Sequence, residues 1–423
     1  MVRKWTFFSI GGYLLFVLVM YAYIFHWANT SIPEWYEGTS ADPATFLNDR
    51  ELMLSEKYSA IRNFLFFLAT PFEWFIYFFL IIWGFSRKFE EWGKKTSRLS
   101  FVQTAVYLFW FYLVATLITL PLNYISYYYS VQYGITTQTF SLWMKDQLID
   151  FWVNYVIMYI VVLVLYWLMA RFQQRWWLVA WILSIPFTLF LMFIQPVMID
   201  PLYNDFYPLQ NKELEKKILT LAEEAGIPAK HVYEVNMAEK TNALNAYVTG
   251  IGSNSRIVLW DTTLNQLSED EILFVMAHEM AHYVEKHIYF GIAVYLLLSF
   301  VGLWLTAKWM RAFITKYGKT FHLEHVHQLR TLPLFFLFTS MLLFAVSPLS
   351  NAVSRYEETR ADKYAIELTE NKEAAIGTFQ ELTKASLSQV HPPFFVKLFR
   401  YSHPSMLDRI MMIETYPIED DEE

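Results

Sequence analysis

Cysteine is absent from the 423 residues. Disulfides and thiol catalysis are therefore excluded, and redox usage says nothing about the compartment. Charge is scarce as well: Asp, Glu, Lys and Arg make up 17% of the chain, and the formal net charge is −7. That balance argues against nucleic acid as a partner. Internal repeats and low-complexity stretches are missing too. In their place, 55% of the residues are hydrophobic and 19% aromatic, with a mean hydropathy of +0.26. Soluble proteins of this length rarely have such a composition, so the chain reads as a membrane protein with the lipid bilayer as a partner.

Seven apolar segments are long enough to cross a hydrocarbon core of about 30 Å. They lie at about 6–26, 64–85, 101–121, 151–170, 176–198, 288–310 and 332–351. The first follows Arg3 and Lys4. Its apolar run is too long for a signal-peptide core and no small-x-small site follows, so it reads as an uncleaved anchor. Thr70-Pro71 interrupts the second segment, and Glu73 lies near its middle. Lipid makes an ionisable group there costly, so Glu73 should face the bundle interior or water. The expected fold is mainly α. Residues 1–199 form a five-helix membrane domain, and residues 200–423 form a small α+β unit that includes the last two spans. The acidic end, from about 415 and densest at Glu419–Glu423, reads as disordered.

Residues 200–287 are the first long stretch with a globular pattern. Asn211 can cap a helix in which Leu214, Ile218, Leu221 and Ala222 share an apolar face, and Gly226 can end it. Strand-like runs follow at Val232–Val235, Ala243–Thr249 and Arg256–Trp260. Gly250, Gly252, Ser253 and Asn254 supply turn chemistry between the last two. The pattern predicts a small antiparallel sheet feeding the next helix.

That helix carries the chemistry. Ser268 and Glu271 form a capping-box pair, and apolar residues then recur at helical spacing. His278 and His282 stand one turn apart, so both imidazoles reach one point without bending the helix. Zinc takes such nitrogen ligands at about 2.0–2.1 Å. Glu279, one residue along, flanks the same point and can take a proton from a water activated there. A catalytic zinc needs a third protein ligand and an open position. Two places offer one. The first is the cluster His322, His325 and His327. The second is the acidic run from Glu357 to Asp362, in which Glu358 and Asp362 again stand one turn apart. There, one carboxylate can bind the metal while the other holds a ligand histidine by its second nitrogen.

The string His278-Glu279-Met280-Ala281-His282, with Glu358-Thr359-Arg360-Ala361-Asp362, resembles the type I CaaX prenyl protease family of integral-membrane zinc metalloproteases. The resemblance is specific from about residue 199 to 410 and includes Asp200-Pro201-Leu202-Tyr203-Asn204. It implies one zinc per chain, with Glu358 as third ligand and Asp362 as the partner of a ligand histidine. Asn245-Ala246-Tyr247 matches the family's edge-strand segment, so Asn245 and Tyr247 are expected along the substrate. His403-Pro404 with Arg409 matches a further motif, whose His and Arg stabilise the developing oxyanion. The family also implies a water-filled intramembrane chamber, which Glu73 could line, and a peptide or protein substrate, prenylated or membrane-embedded. A quality-control protease without prenyl specificity fits the same motifs. A transporter or scaffold with a structural zinc fits less well, because structural sites are usually closed by four protein ligands.

Loop charges bear on orientation. Fourteen Lys and Arg in the short loops on one side face four on the other, namely Arg50, Lys57, Arg62 and Lys145. This places the N-terminus inside and the catalytic face outside the cytoplasm, in the cell membrane. The family resemblance implies a cytosolic catalytic face, so the two readings oppose each other.

Overall fold

A computed structural model describes residues 2–229, 231–249 and 256–417. The chain begins with α1 (Val2–Ala22), a short α2 (Pro43–Phe46) and the long α3 (Asp49–Ile82). An amphipathic α4 (Phe85–Thr96) leads to α5 (Ser100–Gln132), followed by α6 (Phe140–Phe172) and α7 (Trp176–Ile194). Among the described residues, seven helical stretches are long and apolar enough to cross a membrane. Each overlaps one of the segments expected from the sequence. The most apolar windows of the fifth and sixth stretches are 0% buried within the chain, as suits helices that face a bilayer. The α3 helix continues through Pro71. The expected interruption does not break it, because a surrounding without competing water preserves the rest of the ladder. Glu73 is exposed on that helix.

After the fifth span come β1 (Phe206–Pro208), α8 (Lys212–Glu224), β2 (Val232–Val235), β3 (Ala246–Thr249) and β4 (Arg256–Trp260). The Oδ1 of Asn211 accepts from the backbone N–H of Leu214 and caps α8, and Gly226 follows it at φ 68°. The sheet has the order β1-β2-β4-β3. Its β1–β2 and β3–β4 pairs are antiparallel, whereas β2–β4 is parallel. The expectation of a wholly antiparallel sheet is thus corrected. The β3–β4 pair docks by its second strand, so β4 enters beside β2 running the same way. This leaves β3 at the sheet edge. The turn expected at Gly250, Gly252, Ser253 and Asn254 and the disorder expected of Glu419–Glu423 lie outside the described residues.

Next come α9 (Asp261–Gln266), α10 (Glu269–Val284), α11 (His287–Phe321) and α12 (Leu332–Thr369). The last of these joins the seventh span to the segment bearing Glu358 without a break. The chain then folds into α13 (Lys372–Ser386), α14 (Phe394–Phe399) and α15 (Met406–Glu414). The N-cap of α15 is Ser405, in a capping box with Asp408.

Two cores hold α10. One face packs Ile272, Met276 and Met280 against the sheet and Ile218 of α8. The other packs Phe274 and Ala277 against Ala365, Phe379 and Ile410. Burying each large apolar side chain contributes roughly 1.5–3 kcal/mol, so the helix is fixed from both sides. At the far end of α11 the packing is tighter still. A Cβ built on Gly318 would meet the carbonyl oxygen of Leu323 at 2.3 Å. Gly318→Ala should therefore destabilise the fold by about 1–3 kcal/mol, read as a lowered unfolding temperature in detergent. An unchanged transition would show that this turn relaxes freely.

Candidate metal centre

The capping box expected at the start of α10 is present: the Ser268 N–H donates to Glu271 at 2.7 Å, and the Glu271 N–H donates to Ser268 Oγ at 3.4 Å. This sets the register that points His278 and His282 the same way. Opposite them, Glu358 projects from α12. Small side chains permit the approach: Ala277, Ala281, Ala361 and Ala365 are all fully buried.

The Nε2 atoms of His278 and His282 lie 3.3 Å apart. The Glu358 carboxylate oxygens lie 3.2 Å from the first and 3.5 Å from the second. Ligands at 2.0–2.1 Å from a tetrahedral zinc sit about 3.3–3.4 Å from one another. The three side chains thus already have the spacing of tetrahedron edges. Glu358 Oε2 is buried and faces the Nε2 atoms of His278 and His403 at 3.2 and 3.4 Å, so the polar atoms converge where a cation would satisfy them together. The residues fit the ion. Among the described residues no other such cluster occurs. His325 and His327 stack on each other, and the histidine loop 322–327 supplies no ligand.

The outward nitrogens of both imidazoles are also engaged. His278 Nδ1 is 2.8 Å from Asp362 Oδ1. Asp362 in turn is gripped by Arg409, whose Nε and Nη2 donate to its two oxygens at 2.8 and 2.5 Å. Arg409 is buried, and its fork is spent on Asp362, so it reaches the site through His278. His403 stands on the open side with Nε2 3.4 Å from Glu358 Oε2. Glu279 lines the cavity beside His278 and His403, and burial pushes its carboxyl up to about 7. Burial, with the neighbouring His278, holds His282 down at about 4, which keeps its imidazole neutral and ready to ligate.

Asn245 is exposed and lines this same cavity. Tyr247 does not. Side chains alternate along a strand, so Ala246 and Val248 face the metal helix. Tyr247 instead lines a separate cavity with Asp200 and Lys240. Glu73 likewise lies outside the lining beside the metal cluster.

Sequence reasoning missed His287. Its Nδ1 lies 3.0 Å from His282 Nδ1, and its Nε2 lies 3.0 Å from Glu285 Oε2. Glu285 also pairs with Arg360 of α12 at 2.5 Å. On one continuous helix, positions five apart point about 140° away from each other. They meet here because Lys286 adopts left-handed backbone, φ 60°, between α10 and α11. The signal was a third histidine five residues on, which only a helix break makes relevant.

A model of peptidase family M48 matches residues 208–416. A model of the five membrane helices at the N-terminus of CAAX prenyl proteases matches residues 26–205. A Bacillus subtilis (strain 168) protein described as the uncharacterized metalloprotease YhfN is 55% identical, over 97% of both chains. The chain is a member of peptidase family M48. As such it is a membrane metalloprotease. CAAX prenyl protease 1 of Saccharomyces cerevisiae is 28% identical over 71% of this chain and 70% of its own. The crystal structure of S. mikatae Ste24p shares the fold, with a TM-score of 0.78, 24% identity, and coverage of 96% of this chain and 97% of that one.

Metal ligands of M48-type sites keep their orientation only if their outer nitrogens are held. His287→Ala should therefore weaken zinc binding by about 10–100-fold, measured by competition with a chelator on purified protein. Lys286→Gly, which suits φ > 0, should leave affinity intact. Equal affinities in His287→Ala and the parent would show that His287 does not support His282.

Proposed function

We propose that this chain is a zinc-dependent endopeptidase that cuts polypeptides extended along the edge of β3. The observation that carries the reading is the tetrahedral spacing of His278, His282 and Glu358, with Glu279 beside them. His278, His282 and Glu358 would hold a zinc ion, which when bound would supply Lewis acidity toward the scissile carbonyl and toward water. Glu279, whose carboxyl is raised by burial, takes the proton of the attacking water and delivers it to the leaving amine. His403 reaches in from the open side and donates to the carbonyl oxygen as negative charge grows on it. Asp362 and Arg409 hold His278 in orientation. The unpaired edge of β3, next to Asn245, offers backbone groups that fix an incoming chain in register.

The substrate we favour is membrane-associated polypeptide met outside the cytoplasm, because basic residues crowd the opposite loops. A prenylated cytosolic substrate is the second reading, supported by the printed names of the CAAX prenyl protease relatives. A pair of introduced cysteines separates them. Glu239, exposed before β3, and Lys95, exposed at the end of α4, sit in segments on opposite sides by the span count. In intact cells an impermeant maleimide should label Glu239→Cys and spare Lys95→Cys. The reverse pattern would turn the catalytic face to the cytosol and make prenylated peptides the substrates to test.

Glu279→Gln tests the chemistry itself. The variant should bind zinc like the parent but lose about 10²–10⁴-fold in turnover. Parental turnover in a zinc-replete sample would remove Glu279 from the mechanism.

A further inference from the structure

The segment Asp200-Pro201-Leu202-Tyr203-Asn204 ends the fifth span and lies outside the metal centre. Its Asp200, Tyr203 and Asn204 line a second cavity, of about 580 Å³. Gln195 borders that cavity from the span, and Phe206, Tyr247 and Trp260 border it from β1, β3 and β4. Register pairs Tyr247 with Val258. Side chains alternate along strands, so Tyr247, Val258 and Trp260 share one face of the sheet. Ile257 and Leu259 face the α10 core instead. The cavity and the metal centre therefore lie on opposite faces, with β3 between them.

The walls suit a cation. Tyr203, Phe206, Tyr247 and Trp260 supply aromatic faces, which attract ammonium and guanidinium groups within about 6 Å. Lys240 lines the cavity too, and its Nζ stands 6.0 Å over the Tyr203 ring. Its charge is already answered, by Asp146 at 2.7 Å, and it also donates to the Tyr203 carbonyl at 2.8 Å. Asp200 is different. It accepts from the Gln195 side chain and forms no ion pair among the described residues. Asp150 stands behind Tyr203 and accepts from its hydroxyl at 2.6 Å. Asn204 Oδ1 is buried without a hydrogen-bond partner. The carboxylates of Asp146, Asp150 and Asp200 thus gather around Tyr203 against the single ammonium of Lys240. Acceptors and negative charge are left for a second cation.

The position suits a substrate side chain. A polypeptide that adds to the edge of β3 alternates its side chains as β3 does. Ala246 and Val248 face the two cavities around the metal cluster, whereas Tyr247 faces this one. The residue beside Tyr247 therefore points here, within about two positions of the bond held at the metal. We propose that this cavity is a specificity subsite for a basic side chain of the substrate, Lys or Arg, held by Asp200 and the aromatic walls. The assignment rests on the peptidase reading above. The amine of a lipid headgroup carries the same charge at this membrane boundary, so the test separates the two.

Decapeptide mixtures are prepared without basic residues except at one fixed central position. That position holds lysine, acetyllysine, which keeps the length and removes the charge, or glutamate. Cleavage by zinc-loaded, full-length protein in neutral detergent is followed by mass spectrometry, which also locates the cut. Lysine peptides should be cut about 10–100-fold faster than acetyllysine peptides, and glutamate peptides slowest. The lysine preference should fall toward one in Asp200→Asn and in Tyr247→Leu, and survive in part in Asp200→Glu. Zinc content checks that each variant is folded, and the two positions serve as independent tests. Equal rates for lysine and acetyllysine peptides in the parent would overturn the subsite and leave the peptidase standing. A preference undiminished in both Asp200→Asn and Tyr247→Leu would remove it from this cavity. A parental preference that collapses when phosphatidylethanolamine is added, but not phosphatidylglycerol, would give the cavity to a lipid amine and overturn the substrate assignment. No cleavage of any mixture by zinc-bound protein would overturn the peptidase reading, and this one with it.

Discussion

The close approach of α10 and α12 is the constraint from which the site follows. Two imidazoles on one helix can be aligned by spacing alone, but the third ligand has to arrive from another helix to within a few tenths of an ångström. Alanines at 277, 281, 361 and 365, all fully buried, remove the bulk that would hold the helices apart. Packing at organic-crystal density then makes the distance rigid. The ends of both helices are tied as well. Arg360 of α12 pairs with Glu285 at the break after α10, and Arg409 of α15 grips Asp362 from the other side.

Charge is expensive in such an interior, and the chain settles most of it in pairs. Asp362 is fully enclosed and answers both His278 and Arg409. On the far side of the bundle, Arg330 and Lys94 share the enclosed Glu90. One departure stands out against this pattern: Glu358 turns its carboxylate to the imidazoles of His278, His282 and His403, where a cation belongs.

Membrane and catalytic parts are continuous. The helix that binds Glu358 is the extension of the seventh span, and α11 begins at His287, which touches a ligand histidine. The sheet contributes its edge. Because β4 inserts between β2 and β3, β3 keeps one side free beside the cavity.

The sequence by itself determined the parts whose information is local. Hydropathy runs located the spans, because crossing lipid requires a minimum apolar length. The i, i+4 spacing located His278 and His282, and the Ser268–Glu271 pair located the helix start, because helix geometry fixes both. Family motifs supplied Glu358, Asp362 and His403. Tertiary structure alone decided the rest. Strand order follows from docking and not from any one strand, which is why β2 and β4 turned out parallel. Tyr247 matched a motif, yet strand alternation turned its ring away from the metal. His287 was hidden because its proximity to His282 depends on a left-handed residue at Lys286. The cavity behind Tyr247 was illegible as well: Asp200 and Trp260 share it only once the sheet has packed against the end of the fifth span.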